Sequence, residues 1–249
     1  MAEKLPIKLN KEPLLDAIFE VRFSMITPAS NILPGIFFSK LDGEKSIERL
    51  PAADLPTQMR DAEPNLQYAP VMRIHWKEFV LLISDRSVAV ACKMPYAGWK
   101  KFKNAIIQMV KILDEVEILE SIQRYSMKYI DLIPIKNLSE QIASVNINIS
   151  LGDHKLEKEM FQFRIEIVDG EFINAVQIVS SGVVRTKDKT TKEGLIIDID
   201  TIRKVDNLNI KTFLSELQEI LENIHEKNKV MFFKCITPTT LEFLEPIYV

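Results

Sequence analysis

Glycine is scarce in this sequence. There are seven, at 35, 43, 98, 152, 170, 182 and 194 of 249 positions, where average usage would give about 17. No two lie closer than eight residues. That spacing excludes a G-x-G-x-x-G dinucleotide turn, a G-x-x-x-x-G-K-[ST] phosphate loop and a G-x-S-x-G nucleophile elbow, each of which needs neighbouring glycines for its tight backbone. Histidine is scarcer still. His75, His154 and His225 are far apart, and none stands in an H-E-x-x-H or Cys/His metal spacing. No catalytic residue is nominated, and neither a metal nor a cofactor is implied by them. The two cysteines, Cys92 and Cys235, sit in apolar segments and read as reduced structural thiols, with no disulfide. Long apolar runs are also missing. Phe79–Ile83 and Val88–Cys92 are five residues each, far below the ~20 that span a bilayer. Residues 1–8 alternate charge with apolar residues and build no signal-peptide core. The expected compartment is therefore the cytoplasm, with no membrane partner. Lys and Arg number 32 against 35 Asp and Glu, a net charge of -3. No overall positive field draws the chain to phosphate backbones, so nucleic acid is unsupported as a partner.

What is present is an ordinary globular composition, 47% hydrophobic and 27% charged. The Leu14–Ser24 segment alternates Phe19, Val21 and Phe23 with Glu20, Arg22 and Ser24, which predicts a strand. Residues Asn31–Leu41 read as a short helix with Asn31 as its cap and Pro34 in its first turn. The Leu50–Pro70 segment holds four prolines and reads as an irregular excursion. Val71–Trp76, Phe79–Ser84 and Ser87–Lys93 form a three-strand meander with two-residue turns. Trp99, Phe102, Ile106, Met109, Val110, Leu113 and Val116 recur at helical spacing. A strand over Ser121–Pro134 and a short helix over Asn137–Ile142 follow, then a β-rich run at Val145–Leu151. Asp169-Gly170 joins the alternating Met160–Val168 strand to Phe172–Val184 as a hairpin. A charged connection over Arg185–Lys192 leads to a strand at Leu195–Asp200. A long helix capped by Asn207 or Asn209 comes next, then a short one opened by Thr237-Pro238.

The element order occurs twice, with an extra strand expected in the second half. One offset of 106 residues carries Phe19 to Tyr125, Val21 to Met127, Arg22 to Lys128, Phe23 to Tyr129, Pro28 to Pro134 and Asn31 to Asn137. The expected fold is α+β. Duplicated β-α-β(3-4)-α units, 12–118 and 119–249 of one compact domain, would pair into curved antiparallel sheet with two long helices on one face. That is a TATA-binding-protein-like or helix-grip-like arrangement, and it carries no function with it.

The polar side of the strands carries the chemistry available for recognition. Arg22, Arg124, Lys128 and Arg164 stand against Glu20, Glu166, Asp198 and Asp200, a balanced set suited to cross-strand ion pairs or to a polar binding face. Asp198 and Asp200 project from one side of a strand and are the weak metal candidates. Lys93, Lys100, Lys101 and Lys103 crowd the start of the Trp99 helix, and Asp114, Glu115, Glu117 and Glu120 its end, the reverse of what the helix dipole favours.

The segment Glu12-Pro13-Leu14-Leu15-Asp16-Ala17-Ile18-Phe19-Glu20-Val21-Arg22-Phe23 resembles the P-P-L-x-E-A-x-F-E-x-R-F opening of a sporadically distributed family of uncharacterised bacterial and archaeal proteins. Gly98-Trp99-x-x-Phe102, Arg124–Asp131, Leu195–Asp200 and His225–Thr237 resemble its further motifs. Glu12 in place of the first proline, and Asp16 in place of Glu, are departures. The resemblance implies one continuous prokaryotic domain, in a family whose patchy distribution is that of mobile accessory or defence-associated genes. The function expected is that of a cytosolic, non-catalytic binding or adaptor protein with a protein partner. The alternatives are a metal-dependent enzyme on nucleotides or nucleic acid through Asp198 and Asp200, and a structural homodimer.

Overall fold

The computed structural model describes residues 5–64, 66–185 and 191–248. Thirteen strands and six α-helices run in the order β1 (Lys8–Leu9), β2 (Leu14–Met25), α1 (Leu33–Lys40), β3 (Lys45–Arg49), α2 (Thr57–Ala62), β4 (Met72–Trp76), β5 (Phe79–Ile83), β6 (Ser87–Cys92), α3 (Trp99–Glu115), β7 (Leu119–Ile133), α4 (Leu138–Ala143), β8 (Ser150–Leu151), β9 (His154–Lys155), β10 (Gln162–Asp169), β11 (Phe172–Arg185), β12 (Thr191–Leu208), α5 (Ile210–Cys235), α6 (Pro238–Phe243) and β13 (Pro246–Ile247). The class is α+β, with a nine-stranded sheet whose meander pairs are antiparallel. One stretch of the sheet is ordered β3-β4-β5-β6-β2 and another β10-β11-β12-β7. The first is a four-strand meander and the second a three-strand one, each followed by the strand that opens its half of the chain. The chain divides into two compact units, Met1–Leu15, Lys128–Thr201 and His225–Val249 forming the first, Asp16–Met127 and Ile202–Ile224 the second. These interleave along the chain, because β7, β12 and α5 each give residues to both.

In the second unit, β2 buries Ala17, Phe19, Val21, Phe23 and Met25 on alternate positions, as its period of two requires. Helix α3 buries Phe102, Ile106, Met109, Val110 and Leu113 at intervals of three and four. Phe102 stacks on Phe79 of β5 with ring centroids 6.4 Å apart. The start of α5 adds Phe213, whose ring lies 5.3 Å from Tyr125. Strand number and the proline-rich excursion differ from the sequence reading. The extra strand lies in the first half of the chain, as β3 along β4, whereas the Val145–Leu151 run gives an isolated bridge from Val145 to Ile236 and the two-residue β8. The proline-rich excursion also holds helical turns, at Pro51–Asp54 and in α2. Pro51 sits in a first turn and Pro56 just before α2, where the missing N–H costs nothing, and Pro64 and Pro70 lie outside the helices.

In the first unit, Ile133, Val176, Ile178, Leu195, Ile197 and Ile199 of the strands pack with Met231 and Phe232 of α5 and with Ile236 just after it. Gly170 takes a φ of 61° in the β10–β11 turn, a conformation that favours glycine. Gly194 is needed for another reason, because a Cβ there would lie 2.1 Å from the Ile133 carbonyl oxygen. Asn137 caps α4 by accepting the Glu140 N–H at 3.1 Å, and Asn209 likewise accepts from Lys211 at the start of α5 at 2.8 Å. Asn31 does not cap α1. It lies in a 3₁₀ turn and Ile32 occupies the cap position without a side-chain bond. Of the expected charged connection over Arg185–Lys192, residues 186–190 lie outside the described residues.

Candidate functional site

The strands place the eight charged residues read from the sequence in two groups. Glu20, Arg22 and Arg124 belong to the second unit, and Lys128, Arg164, Glu166, Asp198 and Asp200 to the first. Lys128 Nζ on β7 lies 2.8 Å from Asp198 Oδ2 on β12, an ion pair that crosses strands. Two pairs run along their own strand instead, Arg22 Nε to Glu20 Oε1 at 2.6 Å and Arg164 to Glu166 Oε1 at 2.7 Å. Register explains this departure from the cross-strand lattice expected. Glu20 stands opposite Ala89 and Arg22 opposite Ser87, while Arg164 stands opposite Gln177 and Glu166 opposite Ala175. With no counter-charge opposite it on β6 or β11, each arginine turns to the carboxylate two residues away on its own face. Arg124 bonds Ser126 Oγ at 3.3 Å, and Asp200 is half-buried on β12 beside Thr201.

In the second unit the polar side of β2 and β6 is roofed. All six residues of β6 are buried, including Ala89 and Ala91, which project away from the core residues Val88 and Val90. The excursion supplies the roof. The Tyr68 ring covers the Arg22 guanidinium at 3.8 Å. Arg60, itself buried, reaches Asp85 with Nε at 2.6 Å from Oδ2 and a second nitrogen at 3.3 Å from Oδ1. Its remaining donors go to Thr57 Oγ1 and to the carbonyls of Ala52 and Leu55, and Ser30 donates to Asp85. A bidentate pair with every hydrogen bond met is the form in which a buried charge pair is tolerated. Sequence reasoning missed both residues, since nothing local in a proline-rich stretch marks Arg60 as paired 25 residues away. The basic start of α3 is likewise answered within this unit. Lys103 and Trp99 both donate to Glu222 of α5, at 2.6 and 3.0 Å, and Lys101 to Glu78 at 3.0 Å.

The first unit contains a different electrostatic feature. Asp131 near the end of β7 is buried, and burial, followed by the carboxylates of Glu12 and Asp198, pushes its pKa up to about 8. Among the described residues no group of three or more His, Cys, Asp or Glu could hold a metal ion. Asp198, one of the two weak metal candidates, has the Lys128 ammonium where a cation would sit. Beneath the strands, Asn228 of α5 donates to Thr201 Oγ1 and the Ile199 carbonyl, each at 3.0 Å, and Thr201 donates to Asn174 Oδ1 at 2.8 Å. These three side chains are all buried and fix the second half of α5 against β11 and β12.

At the outer edge of this unit lies the surface that the sequence pattern did not show. β10 ends its stretch of the sheet, and six of its eight residues are exposed. Phe163, Ile165 and Ile167 alternate as an apolar face should, yet Ile165 is 48% and Ile167 37% exposed, and Val168 on the other face 74%. The alternation was legible; that the outermost strand is left uncovered was not.

No protein-family model matches the chain, and no curated protein matches it. Among solved structures it is similar to the Methanococcus jannaschii TBP, at 14% identity over 87% of this chain and 99% of that one, with a TM-score of 0.28. Among the described residues, no helix is long and apolar enough to cross a membrane.

Proposed function

We propose that the chain is a non-catalytic binding or adaptor protein that engages another macromolecule through the β10 edge of its first unit. The single observation that carries this reading is the eight-residue edge strand with Ile165, Ile167 and Val168 exposed. Exposed backbone groups and apolar side chains on a sheet edge recruit a further strand unless charge, proline or a covering element blunts them. The charged faces that competed for this role support it less. Glu20 and Arg22 are paired and roofed, and Asp198 is paired with Lys128. Membership of the family that residues 12–23 resemble, and a cytoplasmic, defence-associated setting, belong to the same proposal.

The test is native mass spectrometry of gently purified wild type beside Ile165→Lys. The expected result is a macromolecular complex of defined stoichiometry in the wild type that the variant loses while keeping its circular dichroism spectrum. Complexes of equal abundance in both, or a stoichiometric nucleotide or divalent metal on the wild type, would replace this reading with another.

A further inference from the structure

The β10 backbone has a definite polarity toward its free side. Ser180 donates its N–H to the Phe161 carbonyl at 3.0 Å, and the β10–β11 register pairs Phe163 with Ile178, Ile165 with Val176 and Ile167 with Asn174. Antiparallel ladders bond at alternate residues. Phe163, Ile165 and Ile167 therefore spend their N–H and C=O groups on β11, and Gln162, Arg164, Glu166 and Val168 aim theirs away from it. Arg164 and Glu166 also share one side-chain face, with Phe163, Ile165 and Ile167 on the other. β11 offers Arg164 and Glu166 only Gln177 and Ala175.

We propose that the occupant of this edge is a second copy of the chain, its β10 pairing antiparallel with the first about a dyad at Ile165; the inference rests on the reading of β10 as the contact edge. Strands that meet with like faces together have few registers near the middle of this segment. Centred on Arg164, the dyad sets arginine against arginine, and centred on Glu166 it sets glutamate against glutamate, both repulsive. Centred on Ile165, it sets Arg164 opposite Glu166 of the second copy and Glu166 opposite Arg164 of the second copy. The same register makes these residues the hydrogen-bonded pairs, which is where their free N–H and C=O groups point. On the other face Phe163 meets Ile167 of the second copy, Ile165 meets itself and Ile167 meets Phe163, closing an apolar stripe across both strands. Charge, backbone polarity and apolar pattern select one register, the self-complementarity that a twofold contact needs. A contact of one strand pair is small, so the dimer dissociates on dilution.

The experiment is sedimentation of the full chain across a dilution series, with charge-reversal variants. Wild type shifts from monomer to dimer as concentration rises. Arg164→Glu places two like-charged pairs in the contact and abolishes the dimer, and the double variant Arg164→Glu/Glu166→Arg restores it. Under oxidised glutathione, Ile165→Cys forms a disulfide-linked dimer, because non-hydrogen-bonded partners lie about 4.5 Å apart at Cα. Ile167→Cys does not, since its partner is Phe163. The wild type is the control, with Cys92 buried and Cys235 partly so, and burial raising their thiol pKa values to about 12 and 11. A wild-type mass that stays monomeric at every concentration, a double variant no better than the single, or equal cross-linking at 165 and 167 each overturns the inference. If the wild type stays monomeric by itself while Ile165→Lys abolishes binding to a different macromolecule, the second copy is excluded and the edge-contact reading stands.

Discussion

Strand β3, at the sheet edge of the second unit, has five residues, three of them charged; strand β10, at the edge of the first, has eight, four of them Phe, Ile or Val. The β3 charges are engaged where they stand. Glu48 lies 3.2 Å from both Arg73 and His75 on β4, and Arg49 pairs with Asp54 at 3.1 Å. A short charged strand is one way an edge is kept from recruiting another chain. Among the described residues, the corresponding meander of the first unit, β10-β11-β12, has no such strand beyond it. The units differ again in their buried acids. Asp85 faces the Arg60 guanidinium, whereas Asp131 faces the carboxylates of Glu12 and Asp198. One unit is closed at its edge and neutralised inside, and the other is open at its edge and carries an uncompensated acid.

Breaking the closure of the second unit should have the largest effect. Arg60→Ala leaves Asp85 buried without its cation and should cost about 3–5 kcal/mol, read from urea unfolding. A loss below ~1 kcal/mol would show that the pair does not hold the excursion down. In the first unit, Asp131 binds its proton more tightly folded than unfolded. Its stabilising contribution is therefore complete below the ordinary value of 3.8 and is lost as pH rises toward about 8. Asp131→Asn should remove that slope and raise stability at alkaline pH by about 1–3 kcal/mol; an unchanged pH profile would place the carboxyl in contact with water. Tyr68→Ala removes the ring over Arg22 and should cost about 1 kcal/mol, with faster amide exchange along β6. The smallest change belongs to the open edge, where Val168→Lys should alter stability by no more than about 0.5 kcal/mol. A large loss there would mean that β10 is covered.

Elements whose side chains alternate or recur every three to four residues were legible in the sequence: β2, the Asp169-Gly170 hairpin, α3 and the opening half of α5. Those that depend on partners distant in the chain were not. β3 has one apolar residue, Ile47, in Lys45–Arg49, and becomes a strand by pairing with β4. Arg60 is buried because of Asp85. The eight charged site residues were correctly placed on strands, but whether a charge pairs across or along its strand depends on the residue opposite, and Ala89 opposite Glu20 is a matter of register. The openness of β10 follows from strand order, which no local pattern records.

Residue-resolved amide exchange on β10, measured at low and high protein concentration, tests the central claim most directly. The Phe163, Ile165 and Ile167 amides, bonded to β11, should be protected at both concentrations. The Arg164 and Glu166 amides should exchange freely in dilute protein and become protected as concentration rises. Unchanged rapid exchange at these two positions would contradict a contact between copies, and equal protection of all five in dilute protein would contradict an open edge.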